Sequence, residues 1–165
     1  MSKAILISIR PKWVEKIANG EKTIEVRKTR PKLDTPFKCY IYRTKGTVSH
    51  IINGKWVKME VGGTVIGEFT CDRIYGLAPL NHAPDDVEQQ ACLTREEIVQ
   101  YLKGIGYGWH ISGLHIYDQP RELVEFERPC DCDKCDAVWS TTCNQCSDDR
   151  KIEFPPQSWC YVEEM

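Results

Sequence analysis

The sequence predicts a single-domain α+β protein: short strands, a few flanking helices, and a cysteine-rich insertion before the last strand. Three observations predict it. Apolar runs of strand length, such as Ala4 to Ile9 and Phe37 to Thr44, are separated by Gly, Pro and Asn turn signals. Helical spacing is confined to short stretches after Pro11 and after Thr94. Cysteines that are scattered elsewhere crowd together between Cys130 and Cys146.

A chain of 165 residues is one domain by length and can bury about two-thirds of its unfolded surface in a single core. Its 41% hydrophobic and 28% charged residues are ordinary for a globular protein. No apolar run approaches the roughly 20 residues that span a bilayer, and the start of the chain lacks the features of a signal peptide. The expected setting is the cytoplasm, with no membrane partner. The nine cysteines therefore read as metal ligands and reduced core thiols rather than disulfides. The net charge of −2 hides an asymmetry: residues 1–46 hold twelve Lys or Arg against four Asp or Glu, which is +8 and leaves −10 for the remainder. A basic first third suggests a positive face able to attract phosphates.

Ala4 to Ile9 is expected to be a buried strand. Pro11 suits the first turn of a helix carrying Trp13, Val14 and Ile17, and Asn19-Gly20 ends it. A strand spans Lys22 to Arg27, and a basic loop follows with Lys28, Arg30 and Lys32. Asn53-Gly54 is a favoured two-residue hairpin turn between Val48–Ile52 and Lys55–Met59. Thr64 to Tyr75 reads as a long strand, with Glu68 polar in an apolar context, facing either the Lys22 site or water. Pro84 to Cys92 has helical composition, and Thr94 with Glu97 makes a capping box for a helix that Gly104 stops. Trp109 to Tyr117 is a strand that Gly113 bends, and Ser158 to Glu163 is the last strand. His110 and His115 are five apart, on opposite faces of a regular strand, so a shared metal is not expected.

Cys130, Cys132 and Cys135, followed by Cys143 and Cys146, contain two C-x-x-C pairs seven residues apart. Each pair brings two thiolates to one cation, and four thiolates close a tetrahedron. Cys132, Cys135, Cys143 and Cys146 are the expected quartet, with Cys130 able to replace Cys132. Zinc suits this spacing better than an iron–sulfur cluster, and a closed shell makes the metal structural. The insertion, 129–152, has few apolar residues, so the metal would stand in for a core.

The chemistry-bearing stretch is Gly20 to Arg27. A lysine, a carboxylate and an arginine within six residues suit a polar or anionic ligand: a point charge, an acceptor or base, and a planar fork of donors. A solvated charged strand face would show the same spacing. By alternation Ile24 and Val26 share one face, with Lys22 on it, and Thr23, Glu25 and Arg27 share the other.

Ile5 to Ile17, with Lys12 and Trp13, then Gly20 to Arg27, resembles the opening of the ASCH domain family. Pro155 to Val162 is similar to the closing strand of a prophage-associated branch of it. The resemblance implies a PUA-like small mixed β-barrel with flanking helices, here carrying the four-cysteine zinc-knuckle insertion. It also implies RNA binding. One branch removes an acetyl group from acetylcytidine with a lysine, a threonine and a glutamate. Lys22 matches that lysine by its place in Gly-x-Lys-Thr-Ile, but Glu25 stands where the branch has its threonine, Thr23 lies elsewhere on the strand, and the glutamate position falls near Glu88-Gln89-Gln90. The expected function is therefore binding of RNA or a modified nucleoside in a cleft of Lys22, Glu25 and Arg27. Lys12, Lys28, Glu68, Trp109 and Trp159 are further candidate ligand contacts. The alternative is an amidohydrolase acting on an acylated cytidine-type nucleoside, with Lys22, Glu25 and Thr23 catalytic.

Overall fold

The computed structural model describes residues 2–78, 82–130 and 150–165. Its first strand, β1 (Lys3–Ile9), is apolar almost throughout because both of its faces are covered. Ile5, Ile7 and Ile9 enter one core cluster, while Ala4 and Leu6 enter another. Arg10 precedes helix α1 (Pro11–Ala18), where Pro11 occupies the first turn and loses no hydrogen bond by lacking an N–H. Val14 and Ile17 are the helix positions that join the first core cluster.

Strands β2 (Ile24–Arg27), β3 (Phe37–Arg43), β6 (Thr64–Gly76), β7 (Tyr107–Arg121) and β8 (Trp159–Glu163) join β1 in a six-stranded sheet ordered β2-β7-β6-β3-β1-β8. Only the β1–β3 pairing within it is parallel. The long β6–β7 ribbon changes register repeatedly, and each shift bends the strands and increases twist. Between Glu68↔His115 and Thr70↔Ser112 the β7 side carries the extra residue, where Gly113 takes φ +55. The bend expected at Gly113 is there. The result is a mixed α+β fold whose sheet curls into a half-barrel.

Helices α2 (Val87–Ala91) and α3 (Arg95–Leu102) cover one side of β2, where Ile24 and Val26 meet Val87, Ala91, Ile98 and Leu102. Thr94 and Glu97 form the reciprocal capping box that their spacing foretells. The α2 helix is shorter than the Pro84–Cys92 stretch of helical composition, since it starts only after Asp86.

A second sheet stands apart. It consists of β4 (Gly46–Ile52) and β5 (Lys55–Val61), joined by Asn53-Gly54, both at positive φ as a two-residue hairpin turn demands.

The cysteine quartet 132–146 lies outside the described residues. Its flanks meet: the Arg128 N–H donates to the Arg150 carbonyl, the Ile152 N–H to that of Phe126, and Glu127 bridges Lys151. Among the described residues no three metal-ligating side chains gather, and no helix is long and apolar enough to cross a membrane.

Candidate functional site

The two edge strands of the sheet, β2 and β8, come together through side chains. The Arg27 guanidinium reaches from β2 to the end of β1, where Nη2 donates to the Ser8 carbonyl at 2.7 Å. Its Nη1 donates to Ser158 Oγ at 3.1 Å and the Ser158 carbonyl at 3.4 Å, just before β8. Beside this seam Trp159 Nε1 donates to Thr29 Oγ1, and the Lys32 N–H donates to the Tyr161 hydroxyl. The curl is thus closed by a cation and two aromatic residues where a full barrel would use a backbone ladder.

A cleft of about 1150 Å³ opens here, with Ser8, Lys22, Glu25 and Arg27 in its lining. All four are buried, at 6%, 3%, 6% and 8% exposure. That excludes a solvated charged face for β2. Glu25 and Arg27 follow the expected alternation, opposite the Ile24 and Val26 face that packs on the helices. Lys22 does not. Its backbone N–H is still bonded to the Lys16 carbonyl at the end of α1, so strand geometry begins only at Ile24 and the lysine swings to Glu25.

Lys22 Nζ donates to the Ala91 carbonyl at 2.7 Å and lies 3.5 Å from Glu25 Oε2. The Ala91 carbonyl is an unpaired acceptor at the C-terminus of α2, which attracts a cation. Trp13, also in the lining, places its ring 5.0 Å from the ammonium. Two cations against one carboxylate leave a net positive floor. Arg27 has committed its donors to Glu25, Ser8 and Ser158, whereas an ammonium carries three N–H groups and Lys22 has only two close acceptors. Lys22 is the group at the floor with a donor left for a ligand.

The other sequence candidates are dispersed. Thr23 Oγ1 donates to Gln90 Oε1 at 3.1 Å outside the cleft lining. Lys12 sits 4.6 Å from the centre of the same Trp13 ring but outside the cleft lining, and Lys28 lies over Tyr101, a lining residue. Trp109 is fully buried in the core between Phe37 and Trp159, so its ring offers no face to a base. Glu68 does not line the cleft; half-buried, it is held by its neighbours in the sheet. It accepts from the Tyr117 hydroxyl at 2.5 Å and pairs with Lys38 at 3.4 Å. Burial works to raise its carboxyl, but Tyr117 and Lys38 outweigh that and hold it below the usual glutamate value.

Sequence reasoning missed Ser8, whose carbonyl accepts from Arg27, Ser158, whose hydroxyl and carbonyl both do, and the exposed Phe154 and Tyr101 at the mouth. Ser8 left one trace, as a lone polar residue inside the Ile5–Ile9 run. The basic first third does not form one patch: Lys22 and Arg27 are buried, Lys16 pairs with Glu21, and Lys38 pairs with Glu68 and Glu164.

The ASCH domain model matches residues 7–128, which include the end of β1, all of β2 through β7 and the whole Lys22–Arg27 stretch. This chain belongs to the ASCH domain family. The crystal structure of ASCH from Zymomonas mobilis superposes with a TM-score of 0.55 at 18% identity, over 98% of this chain and 88% of that one. A tyrosine-to-phenylalanine mutant of the same protein gives 0.56 at 18% identity over 99% and 92%. A serine-to-alanine mutant gives 0.55 at 18% over 98% and 89%. These ASCH structures share the fold with this chain. No curated protein matches it.

Proposed function

We propose that this ASCH domain binds RNA or a modified nucleoside by seating a base in the cleft, where Lys22 donates to a carbonyl or acyl oxygen of the base. The observation that carries the reading is the Lys22 ammonium: buried, fixed by Ala91 and Glu25, and left with one donor at a cleft floor where two cations face one carboxylate. Arg27 has a supporting part, holding Glu25 and the seam so that the lysine is presented in one geometry. Phe154 and Tyr101 at the mouth offer aromatic faces to the base plane.

The 3.5 Å Lys22–Glu25 contact favours a second reading, hydrolysis of an acyl amide. Glu25 Oε2 is the carboxylate oxygen that Arg27 leaves open. As a base it would take a proton from water while the water oxygen adds to the amide carbonyl; Lys22 would stabilise the oxyanion. The proton would then pass to the departing amino group, giving carboxylate and free nucleoside.

Incubation with acetylcytidine, with equilibrium dialysis alongside chromatographic detection of cytidine, separates the readings. Retention without turnover, lost in Lys22→Ala, is the expected result. Turnover lost in the same variant establishes the hydrolase. Absence of acetylcytidine retention, turnover and retention of an RNA oligomer together would overturn both.

Structural zinc in the Cys132, Cys135, Cys143 and Cys146 quartet belongs to the same proposal. Its support is the double C-x-x-C spacing and the paired flanks at Glu127–Lys151.

A further inference from the structure

The cleft has two lobes, and a base seated on Lys22 fills only one of them. Glu25 lies opposite Trp109 in register, and Trp13 packs on the core cluster of Ile5, Ile7 and Ile9, so this lobe belongs to one face of β1. Tyr42 and Leu123, which also line the cleft, belong to the other cluster, with Ala4 and Leu6 on the opposite face. The cleft therefore bends round the end of β1, where the Ser8 carbonyl accepts from Arg27 and Ser8 pairs in register with Tyr42. From the guanidinium to Tyr42 is one hydrogen bond and one strand spacing of about 4.8 Å, within reach of a sugar attached to the base.

Tyr42 is the unusual group in the second lobe. Its side chain is 4% exposed, yet among the described residues nothing hydrogen-bonds its hydroxyl, and the oxygen is not sealed inside the protein. Tyr40, two residues earlier in the same cluster, shows the ordinary arrangement: its hydroxyl accepts from the Met165 N–H at 2.8 Å. A buried hydroxyl costs free energy unless a partner meets it, so the partner of Tyr42 comes through the cleft it lines.

The neighbouring Glu122 narrows the chemistry of that partner. It also lines the cleft, and its side chain caps the short turn Leu123–Glu125, which fixes it while leaving a carboxylate acceptor sites to spare. Burial first, and the Glu122 charge second, push the Tyr42 phenol above its usual value, so at neutral pH it keeps a proton to donate. A donor and an acceptor that do not bond each other suit a group that does both. A hydroxyl accepts from the phenol and donates to the carboxylate, whereas a phosphate only accepts and an ammonium only donates. Leu123 and Val124, next in the chain and also in the lining, offer apolar surface to the carbon frame of such a group.

We propose that the second lobe is a sugar subsite, in which a ribose hydroxyl of the nucleoside bridges Tyr42 and Glu122. This rests on the nucleoside reading of the cleft and extends it from the base to the sugar. The cleft then distinguishes a nucleoside from its free base, and Tyr42 is the residue that makes the distinction. Tyr42→Phe leaves the ring in its core cluster and breaks no hydrogen bond among the described residues, so the fold is kept.

The test is equilibrium dialysis of the full chain with acetylcytidine and with acetylcytosine, the base alone, together with saturation-transfer NMR of methyl riboside, the sugar alone. Tyr42→Phe is expected to weaken acetylcytidine about tenfold, to leave acetylcytosine unchanged, and to abolish the riboside signal without lowering the thermal midpoint. Lys22→Ala should lose the base and keep the riboside. Unchanged acetylcytidine affinity in Tyr42→Phe, or equal affinity of the parent chain for acetylcytidine and acetylcytosine, overturns the sugar subsite and leaves the base reading standing. A riboside signal that needs Tyr42, with neither cytosine compound retained, keeps the subsite and overturns the base reading. Absence of both retention and riboside signal overturns both. A fall in the thermal midpoint of Tyr42→Phe that matches its loss of binding would assign the hydroxyl to the fold and overturn the subsite as well.

Discussion

Arg27 grips a single oxygen of Glu25, with Nε at 3.0 Å and Nη2 at 2.9 Å from Oε1. The same guanidinium ties the edge strand β2 to Ser8 and Ser158, so the buried pair is the bolt across the seam of the curled sheet. Removing Arg27 leaves the buried Glu25 with only the longer Lys22 contact and leaves the Ser8 and Ser158 acceptors without their donor. Arg27→Ala should therefore cost about 3–5 kcal/mol in urea denaturation, and Arg27→Lys should recover little, because an ammonium cannot reproduce the fork. A loss below about 1 kcal/mol would show that the seam closes without it.

Glu68 makes the stability pH-dependent. Its carboxyl is held below the ordinary 4.5, as Tyr117 and Lys38 outweigh the effect of burial. A depressed carboxyl contributes fully above its unfolded value and loses that contribution as pH falls through the folded value. Glu68→Gln should be less stable than the parent at neutral pH, with the gap narrowing below 4.5. Parallel stability curves through the acid range would remove Glu68 from the account.

Gly62 and Gly54 test the backbone of the hairpin. Gly62 has φ +93, and a Cβ there would lie 2.0 Å from the Thr44 carbonyl oxygen. Gly54 at the tip has φ +76 but nothing within 4 Å. Gly62→Ala should thus cost more than about 2 kcal/mol, through strain plus collision, and Gly54→Ala only the left-handed penalty of about 1–2 kcal/mol. Equal costs at the two sites would contradict the close approach at Gly62.

Chelation tests the cysteine quartet. Metal analysis is expected to find zinc bound one to one with the chain. Its removal should speed hydrogen exchange in the paired flanks near Glu127 and Lys151 while sparing β6 and β7. Purified protein free of metal with unaltered exchange would exclude a structural zinc.

Much of the architecture was legible because local chemistry and tertiary structure agree. The Asn53-Gly54 turn, the Thr94–Glu97 capping box and the Gly113 bend all follow from short-range rules. The Lys22–Glu25–Arg27 grouping was legible too, but the role of each member was not. Alternation assigns Lys22 to the wrong face, since a helix-end hydrogen bond delays the strand by two residues. Arg27 suggested a ligand contact, whereas its donors are taken up by carbonyls from residues 19 and 131 positions away. Glu68 was ambiguous because its partners, Lys38 and Tyr117, come from neighbouring strands. Such long-range pairings leave no periodic trace in a sequence.

The seam also sets an order of assembly. Residues 7–128 carry the family signature, yet the acceptors that satisfy Arg27 Nη1, and the Pro156 carbonyl that accepts a hydrogen bond from the Ser8 hydroxyl, come from beyond it. On the ribosome, β1 through β7 emerge while the floor of the cleft still lacks these groups. Only when the segment after the cysteine-rich insertion has been synthesised can β8 pair with β1 and lock the guanidinium in place. The finished floor of the cleft is thereby withheld from the nascent chain until β8 arrives.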